Sequence, residues 1–349
     1  MRTAFVILTH TLICLGDVTL TQAAGLPPTN RAEERVGSTI ADRPTEHYTF
    51  ETRYLDSADG RRHYRVQIGT PTNAPTAQRA TLYMLDGNAA IASLTPGDLA
   101  MLNRCTPPVL VAIGYDVPTR NDVVARAFDY TPPVVENDRV THPVVRGRVG
   151  GGADLFLQFI EERIRPLVRD VAPGNGPDLL WGHSYGGLFA LHVLFTRPEA
   201  FSGYIVGDPS VWWHNGALLN EWAAFDSTRA AGKRVDFLVG TKPRHPQQPP
   251  PPDAGILERN GERINLRKAV QDMADQIGTH ASAGSYQTFP QHGHGDMIRV
   301  SLEHALSVAA CGESVPVLIM QQAREAPVTA QREGHDAKQR QTGNTGNEQ

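Results

Sequence analysis

Leu180-Trp-Gly-His-Ser-Tyr-Gly-Gly-Leu-Phe-Ala190 is the stretch that decides the fold. An apolar lead-in reaches Gly182-His-Ser-Tyr-Gly186, and a helix-forming run follows from Gly187 to Phe195. Strand, tight turn and helix come in the order that a G-x-S-x-G nucleophile elbow requires. In such an elbow Ser184 sits on a sharp, strained turn that lifts its hydroxyl above the sheet. Glycines at 182 and 186 remove Cβ atoms that would collide with the neighbouring strand or helix. The helix starting beside Ser184 directs its N-terminal dipole and N–H groups at a developing oxyanion. A glycine-rich turn that happens to hold a serine is the plain alternative. The apolar lead-in, the second glycine and the helix behind them favour the elbow.

The flanking segments fit the same fold. Ala80–Leu85, Pro108–Gly114, Gly203–Gly207 and Arg234–Gly240 are almost wholly apolar, as strands buried on both faces are. Upstream, His47–Tyr54 and Arg62–Ile68 alternate in the strand manner around the turn Asp56–Gly60, which predicts an antiparallel hairpin. Between the apolar runs lie helical patterns. Leu155, Phe156, Phe159, Ile160, Ile164 and Val168 share a face over 154–171. Pro96-Gly97 breaks a helix over 89–103, Val134–Gly152 reads as irregular, and one long helix is expected over Ile256–Gly278. A last strand, Ser285–Phe289, precedes a final helix over Met297–Ala310. Strands alternating with helices imply an α/β fold with a mostly parallel central sheet covered on both faces. With the N-terminal antiparallel hairpin, this is the α/β-hydrolase fold in one domain, residues 46–312.

Composition narrows the function. Among 349 residues 40% are hydrophobic, enough for a large core, and the net charge of −4 is spread without long runs, which argues against nucleic acid. No apolar run reaches the roughly 18–20 residues that a membrane-spanning helix needs. Residues 1–24 read as a signal peptide: Arg2 is a short basic start, Ala4–Gly16 is mostly apolar, and Thr21-Gln-Ala-Ala24 offers a cleavage site. Residues 25–45 read as a flexible lead and 321–349 as a disordered polar tail. Gln247–Asp253 is a stiff proline-rich insertion. A periplasmic or secreted location follows. Cys14 would leave with the leader, so Cys105 and Cys311 form one possible disulfide, with nothing in the sequence to show that they meet. No Cys/His spacing resembles a metal site, and no cofactor is expected.

Ser184 needs a base within hydrogen-bond reach. In α/β-hydrolases the chain order is serine, acid, then histidine after the last strand. His294 holds that place between Gly293 and Gly295, with His292 the second choice. His183 beside the serine is expected to pack around the elbow. The N–H of Tyr185 is one expected oxyanion donor, and the backbone of Asn88, after Asp86-Gly87, the other. The acid is the gap. Its usual loop, Thr241-Lys-Pro-Arg-His245, holds no carboxylate. Asp208, after the preceding strand, is the alternative, but a Ser–His dyad is the preferred expectation.

With these residues assembled, the chain resembles the periplasmic enterobactin/salmochelin esterases, a group within the putative-esterase branch of the α/β-hydrolases. The resemblance rests on Leu82-Tyr-Met-Leu-Asp-Gly-Asn88, Arg126-Ala-Phe-Asp-Tyr-Thr-Pro-Pro133, Gly147-Arg-Val-Gly-Gly-Gly-Ala153, Trp181–Gly187, Pro209-Ser-Val-Trp-Trp213 and Gly293-His-Gly-Asp-Met297. It implies hydrolysis of the trilactone of a catecholate siderophore, with Ser184 as the nucleophile and His294 as the base, and with iron arriving only as the substrate's cargo. It also implies that Arg126 contacts substrate or is held by Asp86. Arg104, Arg120, Arg126, Arg146, Arg148, Lys242 and Arg244 could rim a pocket for so anionic a ligand, with Trp212, Trp213 and Tyr130 as apolar walls, or with at least one Trp in buried packing instead. A general carboxylesterase is the competing enzyme, and a non-catalytic binding protein on the same scaffold is the competing class. Oligomeric state is left open.

Overall fold

The strand at the elbow lies in the middle of an eight-stranded sheet. The computed structural model describes residues 33–72, 78–137, 139–243, 255–259 and 261–313. The leader expected over 1–24, the proline run in 247–253 and the tail expected over 321–349 lie outside them. The strands are β1 (Tyr48–Asp56), β2 (His63–Pro71), β3 (Thr81–Met84), β4 (Val109–Tyr115), β5 (Asp178–His183), β6 (Gly203–Gly207), β7 (Arg234–Gly240) and β8 (Ala283–Phe289). Their spatial order is β1-β2-β4-β3-β5-β6-β7-β8. β1 and β2 are the expected antiparallel hairpin, β2 joins β4 antiparallel, and the remaining pairs are parallel.

Period-two alternation sorts the core onto two faces. Tyr83, Leu180, Tyr204, Val206, Phe237 and Val239 face α4 (Ala153–Phe159), α6 (Tyr185–Thr196) and α8 (Leu266–Gly278); α3 (Ala125–Asp129), α5 (Arg165–Val171) and α7 (Leu218–Ala224) precede them in turn along the chain. Leu82, Met84, Trp181, Ile205 and Leu238 face α1 (Gly87–Ser93), α2 (Pro96–Leu102) and α9 (Met297–Cys311). Each fully buried side chain of this size contributes about 1.5–3 kcal/mol relative to exposure. α6, at the sheet centre, is buried almost all round, which is why its sequence shows no polar stripe.

Four local expectations are corrected. The long helix over 256–278 is a hairpin, Ile256–Arg259 with Glu262–Asn265, followed by a helix starting only at Leu266. Gly261 at φ +81° makes the turn, and Asn265 caps α8 by accepting from the N–H groups of Arg267 and Lys268. Val134–Gly152 contains two small ribbons rather than irregular chain. The helix after it is interrupted by a π-turn, Ile160–Ile164, ahead of Pro166, whose missing N–H cannot serve an α-helical bond. Leu155, placed on the apolar face, is 54% exposed. Finally, residues 33–45 of the expected flexible lead hold to the body: Val36 N–H donates to Pro118, Arg120 N–H donates to Glu34, and Thr39 and Asp42 form a capping box.

Two further devices brace the fold. Cys105 and Cys311 are disulfide-bonded, joining the loop after α2 to the end of α9 across 206 residues. Replacing both by serine is expected to lower unfolding stability by about 2–5 kcal/mol. Urea unfolding checks this. Activity should survive, because the bond lies at the far end of a 15-residue helix, about 22 Å from its N-terminus.

His192, on the rear of α6, lies between Asp154 and Glu221, with ring nitrogens 3.0 Å from each carboxylate. Burial would discharge this imidazole, but the two carboxylates outweigh burial and raise its pKa from 6.5 to about 9. A raised folded pKa means the folded state holds the proton more tightly. The stabilisation is therefore complete below about pH 6.5 and is lost as pH rises through about 9. Thermal unfolding midpoints should decline over that window. In His192→Gln the slope between pH 7 and 9 should flatten, and an equal slope would contradict the assignment.

Candidate active site

Ser184 takes φ +61° and ψ −116°, a conformation that a non-glycine residue adopts only when its surroundings impose it. They do. Its N–H donates to Gly207 at 2.9 Å, its carbonyl accepts from Ser210 N–H at 3.0 Å, and α6 begins at the next residue. A Cβ at Gly182 would stand 2.2 Å from the Gly186 carbonyl oxygen, so strand and helix can approach this closely only over glycine. Trp181 anchors the strand from below, its indole N–H donating to Ser301 Oγ of α9 at 3.1 Å.

His294 stands in the loop between β8 and α9. Its Nε2 is 3.1 Å from Ser184 Oγ, and its Nδ1 is 2.6 Å from Asp208 Oδ2. The acid expected to be missing is therefore present, and the preferred dyad gives way to a three-residue chain. The register explains the placement. Gly207 of β6 pairs with His183 of β5, so the residues that follow, Asp208 and Ser184, emerge side by side at the C-terminal end of the sheet. Asp208 also takes a positive φ, +42°, its N–H donating to Leu238 at 2.8 Å.

The hydrogen-bond roles follow from the acceptors. Asp208 accepts, so Nδ1 of His294 carries the proton and Nε2 is left to accept from the Ser184 hydroxyl. His183 Nε2 lies 2.8 Å from the His294 carbonyl and must donate to it. Burial first, then the neighbouring His294 and Arg126, holds the His183 pKa well below 6.5. It is a neutral brace for the His294 loop, as its expected packing role implied. Ser210, 2% exposed, places Oγ 3.2 Å from Ser184 Oγ. Its only signal in the sequence is its position in the Pro209–Trp213 motif. His292 lines the cavity but packs its ring on Phe289.

A cavity of about 1020 Å³ opens over Ser184, with Asp86, Arg120, Arg126, His294 and Arg299 in its wall. Asp86 and Arg126 form a bidentate pair, both contacts 2.8 Å, with Asp86 4% exposed. Asp86 itself sits at φ +49°, its N–H donating to Tyr130 Oη at 3.0 Å. Arg126 lies 5.1 Å above the Tyr185 ring and shares the cavity wall with Ser184, so the pair both braces two loops and borders the nucleophile's cavity. The oxyanion role expected of Asn88 belongs to its backbone; its buried side-chain amide donates to Tyr115, Val117 and Thr119 carbonyls and so fixes the loop after β4. Tyr185 is the first residue of α6, adjoining Ser184.

The expected basic and aromatic rim is thinner than counted. Trp213 and Tyr130 are core residues, 2% and 0% exposed; Gly150 lies so close to Trp213 that a Cβ there would come within 2.6 Å of the indole. Neither can wall a substrate. Trp212 is half-buried and lines a second cavity, with Arg146 4.0 Å above its ring. Of the seven cations, Arg120 and Arg126 reach the Ser184 cavity and Lys242 reaches the second; Arg244 lies outside the described residues. His183, Asp208 and His294 bring donor atoms within 4.8 Å of one another, but those atoms are engaged in the hydrogen bonds just given.

Comparison with known proteins identifies the family. A family model described as putative esterase matches residues 57–296. The apo-salmochelin esterase of Escherichia coli O6:H1 is 34% identical over 276 residues, spanning 78% of this chain and 82% of that protein. The ferri-bacillibactin esterase BesA of Bacillus subtilis is 28% identical over 271 residues, 74% of this chain and 89% of its own length. Among solved structures, the enterobactin hydrolase IroE in complex with DFP superposes with a TM-score of 0.63 at 31% identity, covering 78% of this chain and 99% of that one.

Proposed function

This chain belongs to the putative esterase family, and we propose that it is a serine esterase that hydrolyses the ester bonds of a siderophore, a catecholate trilactone of the enterobactin type. The observation that carries the reading is the hydrogen-bonded run Ser184–His294–Asp208 beneath a cavity large enough for a bulky ligand.

The chemistry follows from the atoms. Nε2 of His294 takes the Ser184 proton as Oγ attacks an ester carbonyl carbon, and Asp208 orients the imidazole and stabilises its cationic form. The oxyanion would accept from the Tyr185 N–H at the start of α6, where the helix dipole adds to the bond. Nε2 then returns the proton to the departing alkoxide, the C–O bond breaks, and Ser184 is left acylated. Water attacks the acyl-enzyme by the same route, giving one carboxylic acid and one alcohol for each ester cut. No resident cofactor enters any step. The Asp86–Arg126 pair would hold the acyl side of the substrate, since Arg126 borders the nucleophile's cavity while Asp86 fixes its orientation.

Export to the periplasm or beyond fits the reading. The Cys105–Cys311 bond belongs to an oxidising compartment. Steady-state kinetics on a catecholate trilactone and on p-nitrophenyl butyrate test the proposal. A kcat/KM for the trilactone well above that for the small ester is expected; equal or lower values would favour a general carboxylesterase.

A further inference from the structure

His294 forms part of the wall of two cavities. The first holds Ser184 and Arg126. The second, of about 670 Å³, has Asp208 and His294 on one side and Trp212, Lys242, Ile256 and Arg267 around the rest. Its chemistry is uniform. Trp212 offers a half-buried indole face, capped by Arg146 at 4.0 Å. Lys242 and Arg267 are exposed, and no carboxylate among the described residues pairs with either. The one carboxylate in the wall, Asp208, is occupied by His294. Cations beside an aromatic face fit a planar anionic ring.

The geometry of the reaction says why such a site should adjoin His294. An ester has an acyl half and an alcohol half, on opposite sides of the carbonyl carbon. The alcohol half must lie against the group that protonates it, and that group is Nε2 of His294. A trilactone built from repeated units carries one aromatic arm on each unit, so cutting any ester leaves an arm on both halves. His294 walls both cavities, so an arm of the alcohol half can enter the second while the acyl half occupies the first.

We propose that the cavity lined by Trp212, Lys242 and Arg267 is the leaving-group subsite and holds the catecholate arm of the alcohol half. This inference rests on the trilactone reading above. It assigns the alcohol-side specificity of the enzyme to residues after β6, after β7 and at the start of α8, away from the Asp86–Arg126 pair.

The test uses the full-length chain, comparing wild type with Lys242→Ala/Arg267→Ala and with Trp212→Ala. The ratio of kcat/KM for the trilactone to that for p-nitrophenyl butyrate, which has no arm, should fall about tenfold for each charge removed, carried by KM. Lys242→Arg should restore much of the ratio. In a Ser184→Ala background, dihydroxybenzoylserine should quench Trp212 fluorescence, and the double variant should weaken that binding to the same degree. An unaltered ratio would overturn the subsite, as would a parallel loss on both esters, which would mark the residues as supports of the triad. Wild type that leaves the trilactone uncut would instead remove the functional reading itself, so the two failures are distinguishable.

Discussion

Ser184→Ala is expected to abolish turnover of both the trilactone and small esters, lowering kcat by about a million-fold. The magnitude follows from what remains. Without Oγ no acyl-enzyme can form, and His294 keeps a base with no nucleophile to activate. Only the oxyanion donor and the binding cavity would still favour the reaction of water. The variant should fold normally. Alanine keeps the Cβ and the same strained φ of +61°, and the backbone bonds to Gly207 and Ser210 do not involve the hydroxyl. Loss of activity with an unchanged urea midpoint is the expected pair of results. Turnover within tenfold of wild type would show that the nucleophile lies elsewhere.

Asp208→Asn has the second largest expected effect, a fall in kcat of about a thousand- to ten-thousand-fold. The carboxylate at 2.6 Å accepts from Nδ1 and so leaves Nε2 free to accept from Ser184. An asparagine amide can present an N–H instead, favouring the tautomer that points a proton at the serine. It also removes the charge that stabilises the imidazolium. Asparagine is among the residues that tolerate positive φ, so position 208, at +42°, should accept it with little strain. Steady-state kinetics decide the matter. A loss below tenfold would return the enzyme to the dyad that the sequence suggested, with Asp208 as a bystander.

In the sequence, the usual loop for the acid, after β7, holds no carboxylate over Thr241–His245, and the loop after β6 ranks second on chain order alone. Chain order does not reveal which strand ends are neighbours. The parallel register does, because Gly207 opposite His183 brings the next residue of each strand together. Elements whose local chemistry is strong were legible. The elbow, the buried strands and the hairpin each carry a pattern of apolar residues and glycines that tertiary contacts reinforce.

Elements set by a single turn or cap were not. Gly261 and Asn265 split the helix expected over 256–278, and a pattern of charges and aliphatics there suits a hairpin as well as a helix. Side-chain fate was least legible of all. Trp212 and Trp213 are adjacent in the chain, yet one walls a cavity and the other is sealed in the core. Asn88, read for its backbone, uses its side chain to hold three carbonyls of the next loop.

The most direct test of the central claim is product analysis of a catecholate trilactone incubated with the intact chain in isotopically heavy water. Liquid chromatography with mass spectrometry would separate the ring-opened trimer and its shorter fragments from the starting lactone. The account predicts ring opening with one heavy oxygen in the carboxyl group for each ester cut, and none of these products from Ser184→Ala. A trilactone that stays intact while p-nitrophenyl butyrate is consumed would contradict it.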